Sequence, residues 1–259
     1  MTGAVAVHAV EDGPRDAPVV VLSPSLGTTT AVWEAQVPDL ARRFRVIRYD
    51  LRGHGSSPVP AGPYAVDDLG ADIVALLDRL GVERAHLAGL SIGGMASMWV
   101  AAFAPGRVGR IALCSTSARF DRPEAYAERA VAVRSNGSAS VAHAAVGRWF
   151  TPGFADRHPD VVARMEAMVA ATPPEGYAAC CDVVAGTDLR GILPSIAAPT
   201  LLIAGRDDVA TPPAHAHAIA ACVPHARVVE VEDAGHIAPV ERPGRVTELL
   251  LEHLGVTEP

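Results

Sequence analysis

The segment Ala88-Gly89-Leu90-Ser91-Ile92-Gly93-Gly94 decides the reading of this chain, because it sets a serine between two close glycines directly after an apolar run. Residues 84–90 read as a buried strand, and residues 94–103 as an apolar helix stopped by Pro105-Gly106. A serine on so sharp a strand-to-helix turn has strained backbone angles. Side chains at the flanking positions would collide there, so glycine at 89 and 93 is a steric requirement. The hydroxyl is then held out over the sheet edge, which is the nucleophile-elbow pattern. Residues 85–106 carry no formal charge and could pass for a membrane span, but the glycine cluster and the embedded serine break a continuous helix. The expectation is a core strand followed by a core helix.

Working outward, the apolar run 18–22 and the runs 45–49, 86–90, 108–114, 200–204 and 227–231 read as strands, separated mostly by segments of helical spacing such as 67–80. Alternating Val5, Val7 and Val10 suggest an edge strand, joined through the polar turn 11–16 to the run 18–22 as an antiparallel pair. Strands alternating with helices imply an α/β fold, a mostly parallel central sheet with helices on both faces. One interval breaks the rhythm. Between Ser117 and Ala198 only Ala-rich helical pattern is found, around 123–133, 138–150, 160–169 and 175–184. A helical insertion after a strand on the carboxyl side of a parallel sheet lies over the ligand crevice, so residues 118–197 are expected to form a cap, with 1–117 and 198–259 as the core.

The chain has 259 residues, 49% of them hydrophobic and 20% charged, enough to bury a large core. A formal net charge of −7 without any run of Lys or Arg argues against a nucleic-acid partner, so any anionic ligand must be met by a local cation. Cys114, Cys180, Cys181 and Cys222 show no C-x-x-C spacing and read as buried thiols of a reducing compartment. The first residues, Met1 to Val7, have no positive region followed by a long apolar stretch, so no signal peptide and a cytoplasmic location are expected, with no membrane partner.

A serine hydroxyl needs an imidazole to take its proton and an acid to fix the tautomer of that imidazole, in the chain order Ser, Asp or Glu, His. Residues 205–212 follow one late strand and carry Asp207 and Asp208; residues 232–236 follow the next and end in Gly235-His236. Both loops leave the carboxyl ends of strands, where such folds put their chemistry. His236 is the candidate base. For the acid, Asp207 and Asp208 compete, with Asp121 as a third candidate. His215 and His217 are two apart and point to different faces, so a metal pair is not expected. His54, in a Gly-rich loop, reads as structural or as a pocket wall. The oxyanion hole requires the N–H of the residue after the nucleophile, Ile92, and a second from the loop 23–28, for which Leu26 is the choice.

Ser25-Leu26-Gly27-Thr28 with Trp33 downstream, residues 49–57, Gly89-Leu90-Ser91-Ile92-Gly93-Gly94-Met95, Arg148-Trp149-Phe150-Thr151-Pro152 and residues 204–213 together resemble the 3-oxoadipate enol-lactonases of aromatic catabolism, within the α/β-hydrolase superfamily. The likeness runs over nearly the whole chain. It implies an α/β-hydrolase fold and a Ser91–Asp208–His236 triad, since the family's acid stands four residues before a proline, here Pro212. Pro24 departs from the family, which often has a small polar residue there. A chain ending at Pro259 is expected to carry no fused decarboxylase domain. The implied reaction is hydrolysis of an enol-lactone bearing a carboxylate, with no metal or organic cofactor. A desolvated carboxylate needs a cation, and Arg148, beside the pocket candidate Trp149, and Arg134 in the preceding helix are the candidates. Other activities compatible with the triad are a general carboxylesterase or perhydrolase and a C–C bond hydrolase; a ligand receptor on this fold is the non-enzymatic alternative. Oligomeric state is not readable from these residues.

Overall fold

The computed structural model describes residues 3–255. The readings that touch the chain ends, no leader at Met1-Thr2 and a core reaching residue 259, fall partly outside that range. Seven strands form one sheet: β1 (Ala9–Asp12), β2 (Val19–Ser23), β3 (Arg45–Tyr49), β4 (Ala85–Leu90), β5 (Val108–Cys114), β6 (Thr200–Gly205) and β7 (Ala226–Val231), in the order β1-β3-β2-β4-β5-β6-β7. All neighbours are parallel except β1 and β3. Consecutive residues of β4, β5 and β6 are buried, as strands covered on both faces require. The helices of the core are α1 (Val37–Leu40), α2 (Val66–Arg79) and α3 (Ile92–Phe103), followed later by α9 (Pro213–Ala220), α10 (Ala238–Glu241) and α11 (Pro243–Leu254).

The expected pairing of the first two strands is corrected. Both edges of β2 are taken by parallel neighbours, Val19 opposite Arg45 on β3 and Val20 opposite His86 on β4. The first strand lies instead on the far side of β3. It is also shorter than its valines suggest, starting at Ala9, and its polar residues are used: Glu11 pairs with Arg45 at 2.6 Å and Asp12 with Arg48 at 2.9 Å. Charged edges of this kind discourage pairing with another chain.

Between β5 and β6 the chain forms α4 (Pro123–Asn136), α5 (Ala139–Val146), α6 (Pro152–Arg157), α7 (Pro159–Ala171) and α8 (Pro174–Gly186), with α4 packed on α8 and α5 on α7. The helix expected over 138–150 stops at Val146, and Gly147 to Phe150 turn away into a separate segment. Helix α6 was not expected, although Thr151-Pro152 is a start signal: the Thr151 hydroxyl accepts from Phe154 N, and proline occupies the first turn. Cys114, Cys180 and Cys181 are buried free thiols, but Cys222, also free, is exposed on the turn after α9. Among the described residues no helix is long and apolar enough to cross a membrane.

Candidate active site

The strand order places the candidate groups. The chain leaves β2 for β3 on one side and later returns to β4 on the other, which opens a crevice at the carboxyl ends of these strands. Ser23 lies opposite Gly89 in the parallel register of β2 and β4, so the loop after β2 and the turn after β4 emerge side by side. On that turn Ser91 has φ 55° and ψ −117°, a conformation side chains adopt only under constraint. The constraint is visible: Ser91 N donates to Cys114 O at 2.9 Å, and the Thr116 hydroxyl donates to Ser91 O at 2.6 Å. A Cβ on Gly93 would lie 2.6 Å from the carbonyls of both Ser23 and Pro24, and one on Gly89 would overlap the Gly93 carbonyl. The collisions expected from the sequence are therefore those of the first turn of α3 with the end of β2 and with the end of its own strand.

Leu26 lines this crevice, and Ile92, directly after Ser91 at the start of α3, is fully buried; among the hydrogen bonds of the described residues neither backbone N–H has a partner. The loop carrying Leu26 is held from below. Gly27 N donates to His54 Nε2 at 2.9 Å, while His54 Nδ1 lies 3.2 Å from Arg52 O. An acceptor Nε2 requires the proton on Nδ1, the neutral tautomer. Burial pushes the His54 imidazole down to about 4, which keeps it neutral. His54 thus holds the loop that carries Leu26.

β6 and β7 are also neighbours, with Gly205 opposite Val231, and their loops bring Asp208 and His236 together. His236 Nδ1 lies 2.8 Å from Asp208 Oδ2, with side chains 5% and 0% exposed. Asp208 also accepts from Ala210 N at 2.7 Å, Thr211 N at 2.9 Å and the Thr211 hydroxyl at 2.6 Å. Burial would raise the Asp208 carboxyl, but the charge and hydrogen bond of His236, together with Thr211, outweigh it and hold the pKa below the ordinary value. Asp207 is exposed, and Asp121 pairs with His215 at 3.1 Å. His217 meets Glu230 instead, so the two histidines do point apart. Among the described residues no group of three or more His, Cys, Asp or Glu side chains gathers as a metal site.

Ser91 and His236 line one narrow chamber of about 20 Å³, walled by Leu26 from the core and by Tyr126, Arg129, Trp149 and Tyr177 from the cap. A space of that size holds about one water. A second cavity of about 270 Å³ lies outside it and shares Tyr126, Arg129, Arg148 and Ala210, which form the doorway between the two. Trp149 is buried in the chamber wall, and Arg148 is exposed at the doorway, within 3.5 Å of Val209 O. Arg134 is a correction. It binds Glu175 at 3.0 Å and Asp182 at 2.7 Å on α8 and lines neither cavity.

The residue the sequence reading missed is Arg129. It is half-buried, its guanidinium lies 5.0 Å from the centre of the Tyr126 ring, and among the described residues no carboxylate pairs with it. Tyr126, Arg129, Ala130 and Val133 make one i, i+3, i+4, i+7 stripe of α4, whereas position 134 is about 140° round the helix from 129. That stripe was the available signal.

The family model for the alpha/beta hydrolase fold matches residues 18–243. Over 239 residues the chain is 38% identical to the 3-oxoadipate enol-lactonase 2 of Acinetobacter baylyi, covering 92% of this chain and 89% of that protein. It superposes on the crystal structure of the enol-lactonase from Burkholderia xenovorans LB400 with a TM-score of 0.94 at 41% identity, covering 96% of each chain. A thermophilic esterase from Thermogutta terrifontis is similar at a TM-score of 0.90 and 31% identity, over 96% of this chain and 93% of that one.

Proposed function

The chain belongs to the α/β-hydrolase family, and from that membership and the geometry of its site we propose a serine hydrolase that opens 3-oxoadipate enol-lactone to 3-oxoadipate in the breakdown of aromatic acids. The observation that carries the substrate class is the doorway: Arg129 and Arg148 flank the way to Ser91 and His236, and neither has an acidic partner among the described residues of an acidic chain. A buried or half-buried guanidinium without a carboxylate is costly unless the ligand brings one. The similarity to two enol-lactonases supports the same assignment. Three buried free thiols fit a reducing cytoplasm as its location.

Ser91 Oγ attacks the lactone carbonyl and passes its proton to His236 Nε2, while Asp208 holds Nδ1–H and stabilises the imidazolium. The oxyanion forms between Leu26 N–H and Ile92 N–H, on segments held in place by the Gly27–His54 and Ser91–Cys114 hydrogen bonds. Collapse expels the enol oxygen, which becomes a ketone on proton transfer, and leaves an acyl-enzyme. Water, deprotonated by His236, then attacks the ester and releases the free acid and Ser91.

The test is ultraviolet loss of freshly generated enol-lactone, set against its methyl ester and short p-nitrophenyl esters. Multiple turnovers with preference for the carboxylated lactone are expected. Equal turnover of the neutral esters replaces the assignment with a general carboxylesterase, and no turnover of any of them points to a receptor.

A further inference from the structure

The cap segment Arg148-Trp149-Phe150-Thr151-Pro152 and Glu241, at the end of α10, meet on either side of the catalytic histidine. Glu241 is 3% exposed, and among the described residues no cation pairs with it. Three donors converge on its carboxylate instead: Gly235 N at 2.7 Å, Thr151 N at 3.1 Å and the Thr151 hydroxyl at 2.5 Å. A buried carboxylate left without such donors would be strongly disfavoured, so the cluster holds together as a unit.

The placement is specific to the proposed base. Gly235 immediately precedes His236, and Ile237, which immediately follows it, donates its N–H to Trp149 O at 3.1 Å. A Cβ on Gly235 would come within 2.6 Å of the same Trp149 carbonyl, so glycine is what allows the cap backbone to lie this close. His236 is therefore bracketed by two ties to one cap segment, one direct and one through Glu241. Trp149, in that segment, is also a wall of the reaction chamber.

We propose that Glu241 is a positioning residue for His236, tying the base-bearing loop to Thr151 so that the imidazole keeps its aim while the Trp149–Thr151 segment is docked. The inference rests on the reading of His236 as the base. Its consequence is that the cap acts on the base as well as on the substrate. Loss of the tie displaces a proton acceptor by a fraction of an ångström to about 1 Å, which costs on the order of 100-fold in rate at the upper end.

Glu241→Gln replaces an acceptor of three bonds by an amide whose NH2 opposes a donor, and Thr151→Val removes the hydroxyl arm together with the cap that this hydroxyl gives Phe154 N, both of which serine keeps. Each is expected to lower kcat about 10–100-fold with KM within about threefold. Each is also expected to shift or broaden the low-field proton resonance of His236 Nδ1–H in the substrate-free protein. Thr151→Ser should restore both to near the parent, and the double variant should be no worse than Glu241→Gln alone. If Glu241→Gln does not fold, Thr151→Val with its serine rescue carries the test. A folded variant with the parent's kcat and an unmoved resonance overturns the proposal, as does a rise confined to KM, which would make the pair a pocket wall. An active Ser91→Ala would overturn the triad reading instead, so the two failures are distinguishable.

Discussion

The proposed reacting groups and the walls of the chamber come from different parts of the chain and are held by different physics. Ser91, Asp208 and His236 stand on turns that leave β4, β6 and β7, and the loop carrying Leu26 leaves β2, so backbone pairing in one sheet fixes their relative positions. The cap residues Tyr126, Arg129, Trp149 and Tyr177 are set by how helices rotate and pack, α4 against α8 and α5 against α7. On the proposed function, chemistry would reside where the backbone decides geometry and selectivity where side-chain packing does. Substitutions in the core half should therefore abolish turnover, and those in the cap half should redistribute it among substrates.

The largest effects test the core half. Ser91→Ala removes the nucleophile from a site where alanine fits the space, and turnover should fall about 10³-fold or more with the fold intact by circular dichroism. Asp208→Asn should follow at about 10³–10⁴-fold, because an amide cannot hold the imidazole in its proton-accepting tautomer. Asp207→Asn should stay within a few-fold, since that side chain is exposed. Equal, mild losses at 207 and 208 would mean that the sheet does not dictate the acid, and the contrast between the two halves would fail.

The same contrast explains what could be read from the sequence. The elbow was legible because its glycines answer to backbone collisions, and collisions are local. Choosing Asp208 over Asp207 needed the family pattern; in the structure Asp208 is turned inward by Thr211 and His236 while its neighbour faces water. The partner of β1 was misread because adjacency in sequence was allowed to stand for adjacency in the sheet, when both edges of β2 are used by later strands. In the cap, the helical stripe separates Arg129 from Arg134 in the sequence, but the partners that occupy Arg134, Glu175 and Asp182 from a helix about 40 residues away, are what a lone sequence hides. Glu241 looked like any charge near a terminal helix.

Stability in acid sharpens the comparison at the core's own support. His54 is held neutral at about 4, against an ordinary value of 6.5. Between those values the unfolded chain binds a proton there and the folded chain does not, so stability falls as pH falls through this window and levels off below it. The contribution at stake is about 3 kcal/mol. His54→Gln, which offers an acceptor to Gly27 N without titrating, should flatten the loss of stability seen by urea unfolding between pH 6.5 and 4. His253, buried against Ile111 O at 2.9 Å and likewise lowered to about 4, supplies a slope of its own that should persist. An unchanged slope in the variant would mean that His54 does not carry the neutral tautomer on which the oxyanion loop rests.

The smallest expected effects, and the most discriminating, lie among the cap arginines. Arg129 is half-buried, without a carboxylate partner and at the doorway, so truncating it should remove the substrate's charge partner in a partly desolvated place. Arg129→Ala is expected to cost about 2 kcal/mol, roughly 30-fold in kcat/KM, for the carboxylated lactone and little for its methyl ester. Arg148, exposed at the same doorway, is screened by solvent; Arg148→Ala should cost a few-fold, and added salt should erase the difference. Arg134→Ala should leave both substrates within about twofold of the parent, since its partners are Glu175 and Asp182 on the surface of the cap and exposed pairs contribute little. The order Arg129, Arg148, Arg134 follows burial and the absence of a protein carboxylate. An equal loss on the charged and neutral lactones at Arg129 would mean that the guanidinium shapes the chamber rather than pairing with an anion. The carboxylate preference, if present, would then have to come from Arg148 alone, and salt would abolish it.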